Sequence, residues 1–357
     1  MAPLIKMFEK SDSVYELKIC VTGQHREMLD QVLDFFDIKP DFDLALMKKN
    51  QTLSELSSSL MDGITNVLQE FKPDYSIVQG DTTTAMIGAL ASFYQNIRVC
   101  HLEAGLRSGN RYSPFPEEVN RLLISNIADI HFVPTKTSYE NLINEGIKDN
   151  VYTVGNTVVD AVYKTLEIIE SKDSSQFKDE FKDIDFTKRI VLVTGHRRES
   201  FGRPLKNICS SLKKLAEQNQ DIEIIYPVHL NPNVTNEVQS ILKDVTNIKL
   251  IKPIDYPSMI WLMSKSYIVI TDSGGIQEEA PSLGVPVLVT RDVTERIEGI
   301  EAGTAVLVGS KKQKILDLAS KLLDDKDFYL SMSKISNPYG DGKTSQRVVE
   351  IIKDSDI

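Results

Sequence analysis

The chain has 357 residues, enough for two domains of ordinary size, and its 41% hydrophobic and 26% charged content is that of a water-soluble globular protein. Its 41 Lys and Arg against 51 Asp and Glu give a net charge of -10, which argues against nucleic-acid or anionic-membrane partners and asks for local positive groups wherever an anion is bound. No apolar run reaches the length of a membrane span, MAPLIKMFEK has no signal-peptide core, and Cys20, Cys100 and Cys209 lack metal spacing, so a cytoplasmic protein with three buried, reduced thiols is expected.

Leu4, Ile5 and Phe8 have helical spacing and Leu17, Ile19 and Val21 alternate as a strand, so the chain opens in a helix where a parallel sheet ordinarily opens in a strand. The spacing of Met28, Leu29, Val32, Leu33 and Phe36 predicts the next helix. Helices over 53–71, 83–94 and 138–144, and one opening at Pro116, then alternate with strands over 75–78, 97–100, 130–133 and 151–154. From Asn156 a helix leads into the charged segment SKDSSQFKDEFKDIDF, the expected interdomain connection. Strands over 190–193, 223–228, 248–251, 267–270, 285–289 and 305–308 follow, again alternating with helices, and the chain ends in helices over 313–323 and 345–353. This alternation predicts an α/β fold of two doubly wound domains, 1–160 with a helix at about 345–357 packed back on it, and 161–344, facing across a cleft that holds the ligand.

The segment 267–296, YIVITDSGGIQEEAPSLGVPVLVTRDVTER, concentrates the chemistry of the second half. An apolar strand ends in Asp272-Ser273-Gly274-Gly275 and enters a helix: Ser273 can cap it, and the glycines let the backbone approach an anion at the free N–H groups. The bland alternative is a tight corner. Glu278, Glu279 and Arg296 nearby supply partners for a diol and a phosphate, which favours a nucleotide. In the first half Asp81, Glu103 and Glu117 stand at strand ends. Singly they read as a helix cap, an ion-pair partner of Arg107 and a first-turn acid; together, three carboxylates at one rim can divide acid, base and charge-stabilising roles. His196, beside Arg197 and Arg198 at another strand end, reads as a ligand group, His229 equally as ligand or core, and His101 and His131 as core. There is no Cys/His cluster and no Gly-x-Gly-x-x-Gly, so neither a metal nor another cofactor is expected.

The motifs GDTTT, HLEAGLRSGNRYSPFPEEVNR, VTGHRRESFG, YPVHLNPNV, ITDSGGIQEEAPSLGVPVLV and TER occur in an order that closely resembles the non-hydrolysing UDP-N-acetylglucosamine 2-epimerases. The resemblance implies two Rossmann-like domains in the GT-B arrangement, a homodimer, and reversible inversion at C2 through elimination and re-addition of UDP, giving UDP-N-acetylmannosamine for surface polysaccharides. It implies catalytic roles for Asp81, Glu103, Glu117 and His196. It assigns UDP contacts to Ser273, Gly274, Gly275, Glu279 (on the ribose) and Arg296. It further implies a second UDP-N-acetylglucosamine as activator, at Gln24, His25, Gln51, Glu117, Arg197 and His229. Asn50 stands where relatives commonly have Arg, and Met259 where they often have an aromatic residue against uracil. Relatives also begin with a further strand and a Gly-Thr-Arg-Pro-Glu turn ahead of MAPLIK, so Met1 is expected to be an internal start of a longer protein. The competing readings are a hydrolysing epimerase, a GT-B glycosyltransferase, and a truncated nucleotide-sugar-binding form without activity.

Overall fold

Aliphatic runs without alternation, such as Arg189–Thr194 and Ser266–Thr271, form strands buried on both faces, as parallel sheets covered by helices require. The structure, a computed structural model, describes residues 1–11, 14–23, 26–48, 50–171, 175–195, 202–229 and 231–355. It divides into two compact units, Met1–Ala161 with Gly342–Ile357, and Val162–Asp341.

The first unit runs α1 (Ala2–Glu9), β1 (Cys20–Val21), α2 (Arg26–Phe35), β2 (Phe42–Asp43), α3 (Leu53–Phe71), β3 (Tyr75–Gln79), α4 (Thr83–Tyr94), β4 (Arg98–Leu102), α5 (Glu117–Ile127), β5 (Ile130–Val133), α6 (Lys136–Asn144) and β6 (Val151–Thr153). Strands β3-β4-β5-β6 form a parallel sheet in that order, and β1 and β2 pair in parallel as a separate ribbon. Helix α3 opens with a full capping box: the Thr52 hydroxyl accepts from Glu55 N–H, and the Glu55 carboxylate accepts from Thr52 N–H. Cys20 is exposed, against the expectation of three buried thiols, because pleating in the two-residue strand β1 turns its side chain outward.

Helix α7 (Thr157–Ser171) leads into the second unit: α8 (Ser175–Glu180), β7 (Arg189–Thr194), α9 (Arg203–Gln218), β8 (Ile222–Pro227), α10 (Pro232–Leu242), β9 (Ile248–Ile251), α11 (Tyr256–Ser264), β10 (Ser266–Thr271), α12 (Gly274–Glu279), β11 (Val287–Val289), α13 (Ile297–Ala302), β12 (Ala305–Leu307), α14 (Lys312–Asp324) and α15 (Lys326–Ser333). Its six-stranded parallel sheet has the order β9-β8-β7-β10-β11-β12, so the winding reverses between β7 and β10, the doubly wound topology. The charged segment expected to connect two domains lies inside this unit. Its Phe177 and Phe181 stack on Trp261 at 5.8 and 5.4 Å and Phe186 meets the same ring edge-on at 5.3 Å, burial that outweighs the segment's polar composition.

The last helix, α16 (Thr344–Asp354), belongs to the first unit, where Val348, Val349 and Ile352 join Leu4 and Phe8 in one apolar cluster. Asp160 supplies its cap from afar, accepting from Thr344 N–H at 3.2 Å and Ser345 N–H at 2.7 Å. Among the described residues no helix is long and apolar enough to cross a membrane.

Candidate active site

In the second unit the reversal of winding brings the ends of β7 and β10 side by side, the place where doubly wound sheets bind ligands. Thr194 and Thr271 pair in register there, with their hydroxyls 2.6 Å apart. The Thr271 hydroxyl also accepts from Ser273 N–H at 2.9 Å, which turns the chain into α12 at Gly274. Ser273 stands at the N-cap but its hydroxyl makes no capping hydrogen bond, contrary to expectation. The turn is strapped instead through its backbone: Gln277 Nε2 donates to the Ser273 carbonyl at 3.0 Å, and the Thr294 hydroxyl donates to Gln277 Oε1 at 2.8 Å.

That strap brings Arg296 to the turn. A β-carbon on Gly274 would lie 3.3 Å from Glu295 Oε1 and 3.7 Å from Arg296 Cζ, so the turn packs directly against both side chains and is tight only toward the Glu295 carboxylate. Arg296 Nε donates to Glu278 Oε1 at 2.7 Å and its Nη1 lies 3.3 Å from Glu295 Oε1, while Arg291 pairs with Glu295 at 2.8 Å. Glu278 and Glu279, adjacent in sequence, thus part company. Glu278 orients Arg296, whereas burial, then the charge of Glu278, pushes the Glu279 carboxyl up to about 7. First-turn N–H groups with a held guanidinium beside them are the donors that a diphosphate needs.

In the first unit, β3 and β4 pair up to Gln79 and Leu102, after which both chains leave the ladder in left-handed conformations, Gly80 at φ 71° and Glu103 at φ 61°. Such a conformation is uncommon for a residue with a side chain and often marks a functional position. A β-carbon on Gly80 would lie 3.5 Å from Glu103 Oε2, so the Glu103 carboxylate rests against the residue preceding Asp81. Asp81 is not the cap of α4, which is Thr82; its carboxylate pairs with Arg121 at 2.5 Å and its carbonyl accepts from Asn120 Nδ2 at 2.8 Å. Arg107, the expected partner of Glu103, forms a bidentate pair with Glu145 at 2.7 and 2.6 Å. Glu117 opens α5, the helix that carries Asn120 and Arg121. Its neighbour Glu118 accepts from Ser108 N–H, Gly109 N–H and Arg121, all within 3.0 Å. Burial opposes the charge on Glu118, but those donors outweigh it and hold the carboxyl below its ordinary range.

Asp81, Glu103 and the start of α5 are therefore one constellation, and Ser273, Gly274 and Arg296 another. Gly275 follows with open space where a β-carbon would be. His229 is exposed at the end of β8, its Nδ1 accepting from Asn231 N–H at 3.1 Å, and Gln51 accepts from Lys48 N–H at 3.2 Å. His196, Arg197, Gln24 and His25 lie outside the described residues. Sequence reasoning missed Glu118 and Arg121, although their i,i+3 spacing on the helix of Glu117 was a usable signal. It also missed the Glu278–Arg296 pair, for which no local signal exists.

Residues 8–353 match the UDP-N-acetylglucosamine 2-epimerase family. The chain is 51% identical over 359 residues to a UDP-N-acetylglucosamine 2-epimerase of Campylobacter jejuni, covering 99% of this chain and 93% of the relative, and 50% identical over 360 residues to that of Escherichia coli K12, covering 100% and 96%. Among solved structures, the Neisseria meningitidis UDP-GlcNAc 2-epimerase bound to UDP-GlcNAc superposes with a TM-score of 0.91 at 47% identity, covering 99% of this chain and 95% of that one. The Methanocaldococcus jannaschii enzyme in complex with UDP-GlcNAc and UDP does so with a TM-score of 0.80 at 34% identity and the same coverages. With two parallel-sheet α/β units of the GT-B type, a family match over nearly its whole length and relatives at half identity, the chain belongs to the UDP-N-acetylglucosamine 2-epimerase family.

Proposed function

We propose that this protein is an isomerase that interconverts UDP-N-acetylglucosamine and UDP-N-acetylmannosamine by inversion at C2. Backbone N–H groups at 273–275 and Arg296 hold the diphosphate, and Glu279 holds the ribose. Asp81, Glu103, Glu117 and His196 carry the proton transfers. A carboxylate takes the C2 proton as the C1–O bond to UDP breaks, and the charge gathering on UDP is met by donors already in place. The 2-acetamidoglucal left behind accepts UDP again at C1 and a proton on the opposite face of C2, so atoms and charge balance without a cofactor.

The observation that carries this reading is that Asp81 and Glu103 leave paired strands within one residue of each other's rim, with α5 bound to Asp81 through Asn120 and Arg121. Two carboxylates brought to one rim are what a division into acid and base requires. A second UDP-N-acetylglucosamine acting as activator at Gln24, His25, Gln51, Arg197 and His229, a homodimeric state, a cytoplasmic location and supply of surface-polysaccharide precursors belong to the same proposal and rest on the family's motifs. Incubation with UDP-N-acetylglucosamine, followed by proton and phosphorus NMR, tests it. Appearance of UDP-N-acetylmannosamine with the diphosphate still attached is expected; accumulation of free N-acetylmannosamine and UDP would instead mark a hydrolysing enzyme.

A further inference from the structure

His101 is fully buried in β4, two residues before Glu103, and reads at first as a core residue. Its Nε2, however, donates to the carbonyl of Gly80 at 2.8 Å. That carbonyl belongs to the peptide joining Gly80 to Asp81. Because a peptide unit is planar, fixing the carbonyl fixes the nitrogen and Cα of Asp81, the atoms from which its side chain departs. The need is real at this point. The ladder between β3 and β4 ends with Gly80 N–H donating to Leu102, and Gly80 at φ 71° is a residue with wide conformational freedom.

The chemistry of the imidazole points the same way. Burial holds His101 far below the ordinary range, at about 3, so the ring is neutral, and since a carbonyl only accepts, its proton is on Nε2. Its Nδ1 has no hydrogen-bond partner among the described residues. The residue opposite in register on β5 is His131, whose Nδ1 is likewise without one. An aliphatic side chain would fill the position without stranding a buried acceptor. What histidine supplies there, and an aliphatic residue does not, is the bond to Gly80.

We infer that His101 is a positioning residue that fixes the Gly80–Asp81 peptide from the strand bearing Glu103 and so holds the two carboxylates in one relation. The inference rests on the proposed roles of Asp81 and Glu103. It is tested with His101→Gln, whose Nε2 can still donate to Gly80, His101→Asn, whose amide ends too early, and His101→Leu. Epimerisation kinetics, UDP affinity by calorimetry and thermal unfolding are recorded for each, beside Asp81→Asn and Glu103→Gln.

With His101→Leu and His101→Asn, kcat should fall about 10- to 100-fold, the scale of a small misplacement, while KM and UDP affinity stay within about twofold of the parent. His101→Gln should recover most of kcat even if its melting temperature is no higher than that of the other two. Should His101→Leu fail to fold, the contrast between Gln and Asn decides the matter. A folded His101→Leu with parental kcat, or a Gln variant no more active than Asn at equal stability, would overturn the inference and leave the site reading intact. Parental kcat in Asp81→Asn and Glu103→Gln would overturn the site reading itself, and the role of His101 with it.

Discussion

Two neighbouring glutamates show how much chemistry one residue's step along a helix can separate. Successive residues of an α-helix point about 100° apart. Glu278 therefore meets Arg296, and Glu279 is buried elsewhere with a carboxyl at about 7 against the ordinary 4.5. The folded chain thus keeps a proton that the unfolded chain releases. Stability from this group is complete below about 4.5 and declines by about 3 kcal/mol as the pH rises to 7. Glu279→Gln should remove the decline, unfolding like the parent near pH 4 and later than the parent at pH 8 when urea unfolding is followed through Trp261, the single tryptophan. It should also weaken UDP binding. Arg296→Ala should lower UDP affinity by about 2 kcal/mol, the loss of a charge-assisted contact, which calorimetry reads directly. The acidic pair and the arginine were visible in the sequence. Which glutamate serves Arg296 was not, because the pairing spans 18 residues and forms only in the folded chain.

At the scale of elements, strands were legible from their apolar content: the fully buried Ile130–Val133 and the edge strand Ile248–Ile251 both begin and end where the sequence puts them. The alternation of Leu17, Ile19 and Val21 marked a strand of which only Cys20–Val21 pairs, the two-residue β2 carries too little pattern to be read, and α15 was missed because its polar first turn masks the helix. Helix α5 was legible from its Pro-Glu-Glu start, yet its function as a bracket was not. Arg121 joins Asp81 to Glu118 only once α5 packs beside α4, the helix that follows Asp81. The remote cap of α16 is of the same kind. Asp160→Ala leaves two first-turn N–H groups without their acceptor and should destabilise the first unit by about 1–2 kcal/mol, with faster amide exchange at Thr344 and Ser345.

For the molecule as a whole, the restart of the βα alternation near residue 190 was enough to foresee two parallel-sheet units, and the motifs were enough to foresee the family. The interdomain connection was misjudged. Composition marks the segment after Ser171 as a linker, but Phe177 and Phe181 are buried against Trp261, and the division between units falls within α7. The candidate site was legible as a list of carboxylates and an anion turn; the partners that hold Asp81 and Arg296 in place come from distant segments and appear only in the fold. The claim that these carboxylates move the C2 proton is tested by incubating UDP-N-acetylglucosamine with the protein in deuterium oxide and reading C2 by NMR. The parent should place deuterium at C2 with UDP still attached, and Glu117→Gln should lose at least about 100-fold of that exchange, the scale of general acid–base catalysis, while binding UDP as before. Undiminished exchange in Glu117→Gln, Asp81→Asn and Glu103→Gln, or product formed without deuterium at C2, would contradict it.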